Sequence, residues 1–252
     1  MEMRDPFEEE EFIYDFKVFL SYITSHKVRL TPKMQWIPVK HIYAINSLFK
    51  HPASLQEKIG EKVYKLREEI GYSRFYFIDL LSLASECLVV NDKQILTKGP
   101  QYDNFMQADA FFKKLGLVIS WWFDLYWDSW MPEGDFGQML DSRKLYMIPY
   151  LEKVLHKQGM ISVKEFSRPL IEGLSLKWSA SSPDIARDLM EWGIERCILL
   201  PLSYFDIVRL EYRENKYGLQ EIGGFYIKPD GRIFLRSLVR EMRRRIYRDF
   251  SN

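Results

Sequence analysis

One pattern occurs twice along this chain: a helical stretch, a β-hairpin, a tight turn and a closing helix. In the first copy a helix over 74–86 leads into Cys-Leu-Val-Val-Asn-Asp-Lys-Gln-Ile-Leu-Thr at 87–97, followed by Lys98-Gly99. In the second a helix over 184–197 leads into strands at 207–212 and 224–227, followed by Lys228-Pro229-Asp230-Gly231. Asn91-Asp92-Lys93 between β-branched runs is turn chemistry, and the paired apolar runs are its strands. Such a chain is constrained to an α+β, mostly helical fold with small antiparallel hairpins.

The rest of the chain reads as helices and short connections. Phe12, Phe16, Phe19, Leu20 and Ile23 share one face of a helix over 7–25. Its acidic start, Glu8–Glu11, complements the positive end of the helix dipole. Two prolines make 29–38 an extended connection before a helix at 39–49. Ser54 with Glu57 has the form of a capping box, which predicts a helix over 54–69 closed by Gly71. Spacing in the helix at 74–86 predicts exposed Arg74, Asp79, Ser82, Ser85 and Glu86. Further helices are expected at 103–120, 138–156, 163–172, 184–200 and 232–248. Between them, 121–136 holds four of the seven tryptophans and ends at Pro132 and Gly134, the form of a seam. The expected organisation is 1–120, a connecting segment 121–158, and 159–252.

Composition narrows the function classes. Hydrophobic residues make up 47% of the 252, and aromatics 15%, enough for a substantial core. Net charge is +1, but 151–252 carries 18 basic and 14 acidic side chains. Cys87 and Cys197 form no Cys-x-x-Cys pair, which excludes a zinc knuckle and suggests a reducing, cytoplasmic setting. No signal peptide and no bilayer-length apolar run is seen, so no membrane partner is expected.

The two helix–hairpin–turn–helix segments, over roughly 70–115 and 160–240, resemble winged helices. More narrowly they resemble those of prokaryotic transcription regulators and of helicase- or mobile-element-associated proteins. There the second wing strand ends in a Leu-Thr-x-x-Gly-like turn into a helix. The matching residues are Leu96-Thr97-Lys98-Gly99, one residue shorter, and Ile227-Lys228-Pro229-Asp230-Gly231. The resemblance implies two winged-helix-like halves and contact with DNA or protein. In the DNA-reading form, the helix before the wing carries Arg, Lys, Asn or Gln into the major groove. Here the first such helix offers one base against two acids, and the second is mixed.

The strongest electrostatic signal is C-terminal. Arg232, Arg236, Arg240, Arg243, Arg244, Arg245 and Arg248 lie within seventeen residues, opposed by Glu241. Leu235, Leu238, Val239, Met242 and Ile246 give the same helix an apolar stripe for docking. Arginine suits phosphate because its planar fork donates two hydrogen bonds to one anion. Lys93, Lys98, Arg213 and Lys216 are the matching wing cations. The alternatives are pairing of these arginines with the acidic N-terminal helix, or contact with an acidic partner or a membrane surface.

The tryptophans with Asp124, Asp128, Glu133 and Asp135 could form a carboxylate pocket suited to glycoside hydrolysis or metal binding, or simply fill a core. His26, His41, His51 and His156 are scattered, and no phosphate-loop pattern occurs, so no metal or cofactor is expected. The expectation is a non-catalytic accessory or regulatory protein that contacts duplex DNA. The alternative is a protein–protein scaffold, and an enzyme comes third.

Overall fold

The structure, a computed structural model, describes residues 10–59, 62–131, 135–214 and 220–249. The chain divides into two compact units, Met1–Leu125 and Tyr126–Asn252, and the boundary falls inside the tryptophan-rich stretch. Among the described residues it is mostly helical, with three small sheets whose pairings are all antiparallel.

The first unit opens with α1 (Glu11–His26) and α2 (Val39–Asn46). Phe12, Phe16, Phe19, Leu20 and Ile23 are all buried, as their spacing predicts. The helix expected over 54–69 is instead a hairpin, β1 (Gln56–Ile59) with β2 (Lys62–Lys65), and a short 3₁₀ turn at Glu69–Gly71. Ile59, Val63 and Tyr64 favour extended backbone. Ser54 Oγ donates to the Gln56 carbonyl at 2.8 Å and caps no helix.

The pattern met first in the sequence follows: α3 (Ser73–Ala84), β3 (Leu88–Val90) and β4 (Leu96–Lys98). Where one helix was expected at 103–120 there are two, α4 (Tyr102–Gln107) and α5 (Ala110–Phe123). The break comes at Asp109, whose side chain accepts the Phe112 N–H at 3.0 Å and starts a new helix.

In the second unit come α6 (Trp127–Trp130), α7 (Phe136–Asp141), a 3₁₀ turn at Lys144–Met147 and α8 (Ile148–Leu155). Pro149 in the first turn of α8 accounts for the interruption of the expected 138–156 helix. Then follow β5 (Ile161–Ser162), α9 (Val163–Gly173) and α10 (Pro183–Ile194). Ser162 and Ser182 both cap their helices, accepting from Glu165 N at 3.1 Å and Ile185 N at 3.3 Å. α10 continues through a π-turn at Glu195–Leu199 into α11 (Leu200–Tyr204). Pro201 lacks an N–H for the Cys197 carbonyl, and the wider turn absorbs that gap. The chain closes with β6 (Val208–Glu214), β7 (Gln220–Ile227) and α12 (Gly231–Asp249).

The two units share one connectivity. From α1 in the first unit and from α8 in the second, the order is helix, extended segment, helix, helix, two-stranded hairpin, helix, with the β1–β2 hairpin inserted between α2 and α3 of the first. In the second unit β5 pairs with β7, giving the order β5-β7-β6. In the first, Arg29 makes an antiparallel bridge to Ile95, and Leu96 N donates to Val28 O at 3.0 Å. The extended segment in each case follows a left-handed residue, Lys27 (φ 49°) or Gly159 (φ 80°). Each hairpin also follows one, Glu86 or Asp206, both at φ 54°.

Helix α3 is largely buried. Asp79 and Ser82, expected to be exposed, are buried, and Arg74 is drawn onto Glu11 at 2.6 Å and buried Asp15 at 2.8 Å. Packing against α1, α5 and β3 leaves no residue of α3 fully exposed.

Asp79 lies against buried Glu69, whose Oε2 accepts the Ile37 N–H at 2.7 Å. Burial first, and the neighbouring carboxyl second, hold the Glu69 carboxyl far above its ordinary value. The folded protein therefore binds a proton that the unfolded chain releases. This contribution is complete below the ordinary glutamate range and is lost as pH rises toward the folded value. Glu69→Gln removes the ionisation, so its midpoint of thermal unfolding is expected to gain on the parent's steadily from pH 5 to pH 9. A constant difference across that range would contradict a shared buried proton.

Candidate nucleic-acid interface

Helix α12 buries Phe234, Leu235, Leu238, Val239 and Met242 and packs on α8. That apolar stripe sets which arginines face outward. Arg236, Arg240, Arg243, Arg244 and Arg248 are exposed, at the three- and four-residue spacing that keeps side chains on one side of a helix.

The seven predicted arginines do different things. Arg232 is half-buried and donates to the Leu155 and Lys157 carbonyls, the latter at 2.6 Å. It closes the C-terminal end of α8, whose last carbonyls lack helical partners. Arg243 pairs with Glu152 at 2.5 Å. Arg244 and Arg245 share Glu241, at 3.0 and 3.2 Å. Among the described residues, none pairs with Arg236, Arg240 or Arg248. These three are the exposed cations of the row that carry no ion pair there.

The wing cations are dispersed. Lys93 stands exposed at the β3–β4 turn. Lys98 reaches Asp103 at 3.3 Å and covers the Tyr102 ring at 4.2 Å. Arg213 on β6 pairs with Glu221 across the hairpin at 2.8 Å. Lys216 lies outside the described residues. The described part of the acidic run at 8–11 is satisfied inside the first unit: Glu10 by Lys114 at 2.8 Å, Glu11 by Arg74.

The face formed by α10 and the second hairpin has the opposite character. A groove of about 780 Å³ is lined by Asp188, Glu191, Glu195 and Glu214 together with Trp192. Lys164 and Arg213 are its cations. Burial, then Glu191 and Glu221, push the Glu195 carboxyl up to about 7. Spacing in the sequence marked the mixed charge of α10 but not its convergence with acids of the hairpin, which only the folded strands bring together.

The residues of the carboxylate-pocket alternative differ in burial. Trp121, Trp122, Trp127 and Trp130 are fully buried, whereas Asp124, Asp128 and Asp135 are exposed. Glu133 lies outside the described residues. No cluster of three or more metal-ligating side chains occurs among the described residues, and no helix there is long and apolar enough to cross a membrane. Comparison with protein-family models, with curated proteins and with solved structures finds no match to this chain.

Proposed function

We propose that this chain is a non-catalytic accessory or regulatory protein of two winged-helix-like halves that contacts nucleic-acid phosphate through the arginine row of α12. The winged-helix reading is supported by the connectivity common to both units, in which an early extended segment pairs beside the second hairpin strand. The observation that carries the phosphate reading is the exposed, unpartnered trio Arg236, Arg240 and Arg248. Cys87 and Cys197 are buried and form no disulfide, which fits a reducing, cytoplasmic setting.

Base reading is a poor fit. Helix α3, before the first hairpin, is largely buried, and α10, ahead of the second, presents acids, which phosphates repel. Contacts from α12 would position the protein on a duplex without reading its sequence. A protein–protein scaffold is the second reading, favoured by Ile185 and Trp192, which stand 46% and 39% exposed on α10.

Titration of labelled duplex DNA at a series of salt concentrations tests the proposal. Each neutralised phosphate contributes about −0.9 to the slope of log K against log salt. Arg236→Ala, Arg240→Ala and Arg248→Ala together should make the slope shallower by roughly 2.7 and weaken binding to all sequences alike. Weak binding at low salt, identical in parent and triple variant, would overturn the proposal in favour of the scaffold.

A further inference from the structure

Two surfaces of the second unit are complementary, and each keeps charges that no ion pair within the described residues satisfies: Asp188, Glu191 and Glu195 on one, Arg236 and Arg240 on the other. Helix α10 exposes Ile185 and Trp192 beside a row of acids, exposed Asp188 and half-buried Glu191, continued by half-buried Glu195 in the π-turn. No described residue forms an ion pair with any of these three. Lys164, Arg168 and Arg187 act on Glu191, and Arg213 on Glu195, only at a distance. Helix α12 offers the opposite row, Arg236, Arg240 and Arg244, flanked by Ile233 and Tyr247 at 49% and 73% exposure.

The rows match in length. At about 1.5 Å rise per residue, the acids span ~10 Å and the arginines ~12 Å, each along one side of its helix. Single exposed ion pairs contribute little, but several charges in register, around apolar side chains that leave water together, act as a network. We infer that the α10 face is a docking surface for α12 of a second copy of this chain. Each copy carries one donor row and one acceptor face, so the contact closes as a two-fold dimer or propagates. The arginines of α12 serve both this contact and phosphate, which makes self-association and nucleic-acid binding competitive.

The test is a charge exchange read by sedimentation. At low salt the mean mass of the parent should rise above the 30.2 kDa of one chain as concentration increases, and return to it at high salt. Asp188→Lys with Glu191→Lys, and separately Arg236→Glu with Arg240→Glu, should each remain at one-chain mass. An equimolar mixture of the two should associate again, because each supplies the row the other accepts. Asp188, Arg236 and Arg240 are exposed and Glu191 is half-buried; if a reversed variant loses its cooperative melt, Asp188→Asn with Glu191→Gln, or Arg236→Gln with Arg240→Gln, gives the same reading. A parent that stays at 30.2 kDa, variants that associate as the parent does, or a mixture that stays dissociated would each overturn the inference. The α10 variant keeps α12 intact, so its DNA binding separates this outcome from failure of the phosphate reading.

Discussion

Trp130→Ala is expected to destabilise the protein by about 3–5 kcal/mol, the usual cost of truncating a buried tryptophan. Trp130 is fully buried. Its Nε1 donates to the Arg196 carbonyl at 2.8 Å, and the Arg196 guanidinium lies 4.8 Å from the ring centroid. Alanine therefore leaves a cavity, strips a partner from a carbonyl in the π-turn and removes the aromatic face under a cation. A fall in the thermal midpoint of roughly 6–20 °C is the corresponding signal for a chain of this size. Trp130→Phe retains most of the volume but not the donor, and should cost less, about 1–3 kcal/mol. Tyr126→Ala, at a ring that is 72% exposed, should stay within about 0.5 kcal/mol of the parent. Equal midpoints for Trp130→Ala and Tyr126→Ala would mean that Trp130 is not a core residue.

The same residues show what a sequence can disclose. Both hairpins following α3 and α11 were legible because β-branched runs flank turn chemistry, and that signal is local. The Ser162 and Ser182 caps were legible for the same reason. Ser54 with Glu57 carries a similar local signature and is misleading, because extended pairing of β1 with β2 prevails there. The two-residue β5 and the Arg29 bridge are too short to leave any periodic trace. For α3, helical spacing identified the polar side chains but not that α1, α5 and β3 would cover them. For α12, spacing placed the arginines outward. It could not show that Arg232 meets the carbonyl end of α8, some 75 residues earlier, while Arg236 meets solvent. Partners distant in sequence decide which charges remain available, and that is the part of the candidate site that needed the fold.

Gly99→Ala and Gly231→Ala are expected to cost about 3 kcal/mol or more each, at or above the top of the usual range for overpacking. A Cβ on Gly99 would lie 2.1 Å from the Glu86 carbonyl oxygen, and one on Gly231 would lie 2.1 Å from that of Ile207. Neither glycine has a positive φ, so the constraint is space and not backbone conformation. At both places the chain leaving the hairpin crosses the chain entering it. Gly99 N donates to Cys87 O at 2.9 Å, and Lys228 N to Ile207 O at 3.0 Å. A methyl group must push these backbones apart and break the bonds that close the hairpin. Gly116 is the control: it is exposed on α5 and its Cβ would meet nothing within 4 Å. Gly116→Ala should stabilise by about 0.5–1 kcal/mol, since glycine is a poor helix former. Chemical denaturation of the three variants should thus give two large losses and one small gain. If Gly99→Ala and Gly231→Ala differed greatly from one another, the crossings would not be equivalent and the shared connectivity would be only nominal. If both fail alike, one steric rule has been written at two positions 132 residues apart, and the repeat seen in the sequence is a repeat of structure.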